Sequence, residues 1–351
     1  MHSYEKQALS GAIEILSQSE LPDRFEGMKL YGFSEEAKDE LRQDCKIFRL
    51  SNETGHGKIT VYQVFPGIEL YYNDMGYCNQ NQATAKNMIE INHCLIGRFE
   101  CSFGENSCCY MAEGDLSISS GMKKKSNSCF PLNHYHGISI IINLDELLPE
   151  VRRIMELLNI DLKYIQTYIC EGNRCCIMRA NPSIEHIFSE LYHVREKRKP
   201  GYMKIKMLEL LLFLSDLNTA DEVLQMDYFN RNQVALIKEV ASYITEDLTT
   251  HHTIEQLSQK FEISTTALKK CFRGVYGTSV YSYLRTYRLQ VAQKLLLETE
   301  LSVTDIASKI GYENPNKFTS AFKETYGSSP TEFRKSVRLD RNGSVWSGEE
   351  I

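Results

Sequence analysis

The spacing of apolar residues along this chain changes register several times. From Tyr4 to Cys45 they recur at helical intervals, as at Ala8, Ile13 and Leu16, until Pro22 and Gly27 break the run. That pattern predicts two short helices in an amino-terminal extension over residues 1–57. From Lys58 to Asn143 the period falls to two. The runs 59–64 and 68–72 flank Pro66-Gly67, and Met88 to Cys94, Arg98 to Phe103, Cys108 to Ala112, Leu116 to Ser119 and Ile138 to Ile142 follow with turn residues between them. Many short strands at close intervals predict an antiparallel barrel or jelly roll over residues 58–180.

Helical spacing then returns. Asn181-Pro182 suits a capped helix start, and Ile184, Ile187, Phe188, Leu191 and Val194 form an apolar stripe that Pro200-Gly201 ends. The next helix, Tyr202 to Leu217, is apolar around most of its circumference. Such helices need a cover, supplied either by the β-domain or by a second copy of the chain. Residues 181–220 are therefore expected to couple or dimerise, with 221–233 as a linker.

The last third contains one pattern written twice, 50 positions apart. Leu268, Phe272, Arg273, Tyr276, Gly277 and Ser279 correspond to Phe318, Phe322, Lys323, Tyr326, Gly327 and Ser329. Such a repeat means one structural unit used twice. Each copy reads as a short apolar helix, a tight turn and a second helix with an exposed polar face, which is a helix-turn-helix. The outward residues are Thr265, Thr266, Lys269, Lys270 and Arg273 in the first copy. In the second they are Asn314, Pro315, Asn316, Lys317, Thr319, Ser320 and Lys323. Short polar and basic side chains on one helix face suit base edges and phosphates. Between the copies, Ser279 to Glu298 predicts a helix of about 20 residues and about 30 Å, against the roughly 34 Å between successive major-groove faces on one side of a duplex.

Charge sharpens this picture. The 351-residue chain carries a formal −6, which is unpromising for a nucleic-acid binder. From Val234 to Arg338, however, 14 Lys/Arg face 11 Asp/Glu, while Met1 to Gln233 has 25 against 32. The basic excess travels with the repeat, and its small size implies weak nonspecific binding, so specific binding calls for two protomers or RNA polymerase. No secretion signal or membrane-length apolar run is seen, which predicts a cytoplasmic, nucleoid-associated protein without a membrane partner.

Eleven cysteines without a CxxC pair argue for reduced thiols. The vicinal pairs Cys108-Cys109 and Cys175-Cys176 leave a thiol- or metal-responsive site open, against the simpler reading of small buried side chains.

The residues Asp305-Ile306-Ala307, Gly311-Tyr312, Phe318, Phe322-Lys323, Tyr326-Gly327, Ser329-Pro330 and Phe333-Arg334 carry a resemblance. The pattern, with Arg288, Ala292 and Leu295-Leu296, is similar to the signature of the AraC/XylS family of transcription regulators, over residues 234–338. The resemblance implies a tandem helix-turn-helix domain binding double-stranded promoter DNA, with base contacts at Thr266, Lys269, Lys270, Pro315, Asn316, Lys317 and Ser320. One departure is Glu262, where the family's first turn usually has Gly or another residue tolerant of positive φ. Gly114-Asp115-Leu116 and Asn92 to Arg98 resemble the family's cupin-like ligand domain. The stretches 64–68 and 134–137 are loosely similar to siderophore-responsive members.

The fold class expected is α+β: a cupin-like antiparallel β-barrel with helices, then an all-α tandem helix-turn-helix domain and a tail over 339–351. The effector site is expected at Arg98, Glu100, Tyr72, Tyr110, His134 and His136. A buried Arg98 would favour an anionic effector or a metal chelate. His134 and His136 share a strand face, as metal ligands do, but the carboxylate and later histidine of a catalytic metal set do not follow them. No catalytic residue, metal or cofactor is expected. The function expected is a sequence-specific, effector-controlled regulator, an activator and homodimer, with a metal-dependent cupin enzyme fused to a DNA-binding tail as the competing class.

Overall fold

The computed structural model describes residues 45–52, 55–76, 80–81, 87–103, 107–120, 127–128, 130–169, 176–217 and 228–341. The chain divides into two compact units between Asn230 and Arg231. The two short helices expected before Cys45 lie outside the described residues.

The first unit is antiparallel β-structure: β1 (Cys45–Asn52), β2 (Gly55–Phe65), β3 (Ile68–Met75), β4 (Gln80–Asn81), β5 (Met88–Gly97), β6 (Phe99–Phe103), β7 (Ser107–Met111), β8 (Leu116–Ser120), β9 (Asn127–Ser128), β10 (Tyr135–Asn143), β11 (Cys176–Met178) and β12 (Phe229–Asn230). Seven strands form one sheet in the order β1-β2-β3-β10-β5-β8-β11, three form a second in the order β12-β7-β6, and β4 pairs with β9. The start of the β-domain differs from expectation. Residues 45–52 were read as part of a helical extension, but they pair along their length with β2, from Cys45 opposite Tyr62 to Asn52 opposite Gly55. A strand partner overrides the weak local helical spacing there.

Side chains alternate across the large sheet. Ile68, Leu70, Ile89, Ile91, Ile138, Ile140 and Ile142 enter one core. Tyr71, Met75, Cys94, Tyr135 and Ile141 enter another, closed from the far side by Phe99 and Cys101 of β6 and Cys109 and Met111 of β7. The first core is capped by helices α1 (Pro149–Leu157), α2 (Pro182–His193) and α3 (Lys199–Ser215). Helix α2 starts as its sequence dictates, with the Asn181 side chain accepting from the backbone N–H groups of Ser183 and Ile184 at 3.1 and 3.0 Å.

The apolar stripe of α2 meets the sheet. Ile184, Ile187, Phe188 and Leu191 are all buried in the first core, so this stripe is spent within the chain and is not a free surface for a second copy. Apolar surface does remain on α3, where Ile205 is 62% and Leu212 38% exposed. Polar ties fix the helices on the sheet. Tyr72 donates to the Leu191 carbonyl at 2.7 Å, and Lys199 lies 4.5 Å above the Tyr72 ring. His93 of β5 stacks on Phe188 at 4.1 Å, with Nδ1 3.0 Å from the Tyr192 hydroxyl. Lys206 bridges α2 and α3 through Glu190 and Glu209 at 2.8 and 2.9 Å.

The second unit is all helical: α4 (Arg231–Glu246), α5 (Ile254–Lys260), α6 (Thr265–Tyr276), α7 (Val280–Glu298), α8 (Val303–Lys309), α9 (Pro315–Tyr326) and α10 (Pro330–Arg341). The repeat is structural. Gly277 and Gly327 end α6 and α9 in the left-handed region, at φ 77° and 75°, each donating back to the fourth residue before it. Phe272, Tyr276 and Tyr283 form a ring cluster with centroids 4.7, 5.5 and 4.5 Å apart. Phe322, Tyr326 and Phe333 repeat it at 4.5, 5.6 and 6.1 Å. The 50-residue offset therefore extends into α7 and α10, which cover the second helix of each copy in the same way.

The turns between the paired helices differ. Both use a residue of positive φ, Glu262 at 52° and Gly311 at 79°. The second turn is one residue longer, because the cap of α6 is Ser264 and that of α9 is Asn314. Gly311 has no alternative: a Cβ there would stand 2.0 Å from the Leu248 carbonyl oxygen. Glu262 is exposed and carries the backbone cost of a left-handed non-glycine residue, about 1 kcal/mol.

Two predictions follow from these contacts. Gly311→Ala is expected to destabilise the chain by more than about 2 kcal/mol in urea unfolding, whereas Glu262→Gly should fall within about 1 kcal/mol of the parent, on the stabilising side. The second concerns acid. Burial lowers the His93 pKa from 6.5 to about 4. Between those values the unfolded chain binds the proton that the folded chain refuses, so stability falls as pH drops from about 6.5 toward 4, by on the order of 3 kcal/mol. Thermal melts of His93→Phe should lose this part of the pH dependence, and a parallel pH profile in the variant would contradict it.

Candidate nucleic-acid interface

Helices α6 and α9 owe their placement to what they bury. Leu268, Cys271, Phe272 and Val275 face inward from α6, and Phe318, Ala321 and Phe322 from α9. The opposite face of α6 is left with Thr266, Lys269, Lys270 and Arg273, all exposed, while Thr265 is half-buried. On α9, Asn316, Lys317, Ser320 and Lys323 are exposed, and Pro315 and Thr319 half-buried. Positions 266, 269, 270 and 273 share one helix face, as do 316, 320 and 323. Asn314 is exposed, but its side-chain Oδ1 accepts from the Asn316 N–H at 2.8 Å. It acts first as the cap that starts α9.

Helix α7 holds the copies together. Its 19 residues rise about 28 Å. It contacts α6 and α4 of the first copy and α8 and α10 of the second. Leu289, Ala292 and Leu296 enter the second copy's core. Arg288, buried on α7, donates to the Leu248 carbonyl at 2.6 Å beside the Gly311 turn. Burial lowers its pKa, yet an Arg so placed remains a cation. Arg285, one turn earlier, pairs with Glu324 of α9. That bond raises the Arg285 pKa and joins the spacer directly to the second exposed helix.

Sequence reasoning left two of these features unassigned. The Tyr283 and Phe333 rings were legible by carrying the 50-residue offset further. The Arg285–Glu324 pair, across 39 positions and two helices, had no local signal.

The six candidate effector residues do not converge on one site. Glu100 and Tyr110 lie opposite each other on β6 and β7, with the Tyr110 hydroxyl donating to Glu100 at 2.9 Å. They alternate with Phe99, Cys101, Cys109 and Met111, which fill the core between the sheets, so the pair faces outward, against Phe229 of β12. Arg98 lies with them, 5.9 Å from the Tyr110 ring centroid. Tyr72 faces the helices, beside Tyr62 and Tyr192. His134 bonds the Leu132 carbonyl at 3.0 Å, and His136 lies 3.4 Å from Asp74 across β3. The expectation of one pocket around Arg98 is thus corrected: strand alternation sends these side chains to different faces.

The resembling turn at Gly114-Asp115-Leu116 is a structural tie. The buried Asp115 carboxylate accepts from the Ala112 and Ala180 N–H groups at 2.7 and 3.1 Å and pairs with Arg179. Cys108 and Cys109 point to opposite faces and are both buried. Cys108 lies 3.8 Å from Glu100, and Cys109 belongs to the core between the sheets. Burial, with Asp115 and Glu113 nearby, pushes the Cys94 thiol up to about 12, the opposite of an activated thiolate.

Known proteins match the helical unit. The family model described as a helix-turn-helix domain matches residues 257–336. An uncharacterized HTH-type transcriptional regulator, YdiP of Escherichia coli strain K12, is 33% identical over 103 residues, covering 29% of this chain and 34% of its own length. The HTH-type transcriptional activator RhaR of Enterobacter sp. strain 638 is 32% identical over 106 residues, 30% of this chain and 38% of its own. A solved DNA-binding domain of AdpA, a global transcriptional factor in complex with a target DNA, is 28% identical, covers 31% of this chain and 97% of that one, and has a TM-score of 0.29. The chain thus spans little more than a third of the two curated relatives, and the likeness lies in the helical repeat. No described helix is long and apolar enough to cross a membrane. The signature from Asp305 to Arg334, the family model and these relatives agree that the helical unit of this chain holds a helix-turn-helix domain of the AraC type.

Proposed function

We propose that this chain is a sequence-specific DNA-binding transcription regulator whose α6 and α9 enter successive major grooves on one side of a promoter duplex. The observation that carries this reading is the duplicated unit. Two helices with the same buried aromatic cluster each present one polar, basic face, and α7, about 28 Å long, separates them.

On this reading Thr266, Lys269 and Lys270 of α6, and Asn316, Lys317 and Ser320 of α9, meet base edges. Arg273 and Lys323, in the last turns of their helices, meet phosphates. Glu324 lies beside Lys323, and its pairing with Arg285 keeps that carboxylate from opposing the phosphate contact. The output is activation, as the name of the RhaR relative states for that protein, and RNA polymerase is the partner that activation requires. The β-domain binds a small effector, and α2 and α3, bonded to the sheet through Tyr72 and His93, carry its state onward. Such control needs an effector that binds one arrangement better than another. The regulator works as a homodimer in the cytoplasm. Its protomers meet through the exposed Ile205 and Leu212 side of α3, since the α2 stripe is already covered by the sheet.

Two substitutions separate the roles. Asn316→Ala is expected to lose about 1–3 kcal/mol of discrimination at one base position. Lys323→Ala is expected to weaken all sequences alike and to reduce the slope of log affinity against log salt by about 1. Gel-shift titrations over a panel of single-base variants check this, and an identical loss profile for the two variants would contradict the assignment. Ile205→Asp should shift the sedimenting species from dimer to monomer without loss of helical signal; a dimer that persists would move the interface elsewhere.

A further inference from the structure

The side of α7 that the second copy buries does not stop where that copy ends. Arg288, Leu289, Ala292 and Leu296 share one side of the helix at spacings of three and four, and all four are buried. Carried toward the helix start, the same side passes through Arg285 and Tyr281. Exposure rises along it: Ala292 is 0% and Arg288 7% exposed, the Arg285 side chain 38% and Tyr281 74%. Neither copy buries Tyr281. The first copy takes its ring from Tyr283, on another side of α7, and the second closes over Arg288 with the Gly311 turn.

Two neighbours locate this exposed stretch. Arg285 pairs with Glu324 in the last turn of α9, and Tyr312, next after Gly311, stands beside it. Glu324 follows Lys323 and shares a side of α9 with Lys317 and Ser320, all of them exposed. Tyr281 and Arg285 therefore border the face that α9 offers to DNA.

Duplex geometry says what lies there. Two major-groove faces on one side of a duplex, about 34 Å apart, have a minor groove between them, with a phosphate strand along each of its edges. Residues of the spacer that border the reading face stand opposite those phosphates. A phenol and a guanidinium both donate to phosphate oxygens. The bond to Glu324 engages one guanidinium nitrogen, Nη2, of a fork that offers further N–H donors.

We propose that Tyr281 and Arg285 form a third point of DNA contact, on the phosphates of the minor groove between the two major-groove sites. This rests on the reading of α6 and α9 as groove-entering helices. The contact adds affinity and fixes register, while base preference stays with α6 and α9. Glu324 draws on the same guanidinium as the phosphate, so its carboxylate restrains the contact.

Binding of the full chain to an operator duplex selected from random sequence, with single phosphates ethylated, tests it. Ethylation midway between the two major-groove segments should weaken the parent about fivefold or more and leave the double variant Tyr281→Phe, Arg285→Ala unaffected. Arg285→Ala alone should weaken all sequences alike and reduce the slope of log affinity against log salt by about 1. Glu324→Ala breaks the same ion pair from its other end and should bind at least as tightly as the parent. Tyr281→Phe removes only an exposed hydroxyl and should cost about threefold, which keeps the test decisive if Arg285→Ala lowers the melting temperature. Equal weakening by Arg285→Ala and Glu324→Ala would overturn the proposal, because the pair would then act only by positioning α9. Interference confined to the two outer segments would refute the third contact and leave the groove reading intact. A parent indifferent to ethylation at all three places would sink both.

Discussion

The orientation of both exposed helices depends on one kind of contact, a phenylalanine packed beneath the first turn of a third helix. Phe272 and Phe322 are fully buried. Each meets a ring from the following helix edge-on, Tyr283 at 78° and Phe333 at 72°. Removing such a ring costs about 3–5 kcal/mol, but its functional importance is geometric. The ring fixes which side of α6 or α9 faces inward, and so which residues are left for DNA. The left-handed glycines at 277 and 327 complete the arrangement by turning the chain sharply enough for the third helix to return.

Because α7 is the third helix of the first copy and a wall of the second, the copies are not independent beads. Arg288 ties α7 to the Leu248 carbonyl in the segment after α4, beside the Gly311 turn, and Arg285 ties it to α9 through Glu324. A spacer bonded at several points transmits orientation, which a flexible linker of equal length does not. The β-domain follows a comparable logic on a different scaffold. One sheet gives its isoleucine face to the helices and its other face to the second core. His93 and Tyr72 stand on the helix side, adjacent in sequence to Asn92 and Tyr71 on the other, so a change on one face is one residue away from the other.

Much of this was legible from residue spacing. The strands between Lys58 and Asn143, the caps at Asn181, Ser264, Ser302 and Asn314, and the duplicated helices each rest on local patterns that tertiary structure left in place. β1 was not, because its alternation begins only at Cys45, after a stretch with helical spacing, and its partner strand decides the outcome. The effector set failed for a related reason. Alternation says which residues share a strand face, but not which face of which sheet looks inward, so Arg98, Glu100 and Tyr110 were grouped with Tyr72 and the histidines.

The central claim is that two reading heads are held at the pitch of a duplex. Footprinting of the full chain on operators selected from random duplexes tests it most directly. Two protected segments per protomer are expected, centred about 10–10.5 base pairs apart on the same face of the DNA. A single short protected segment, or two on opposite faces, would contradict it.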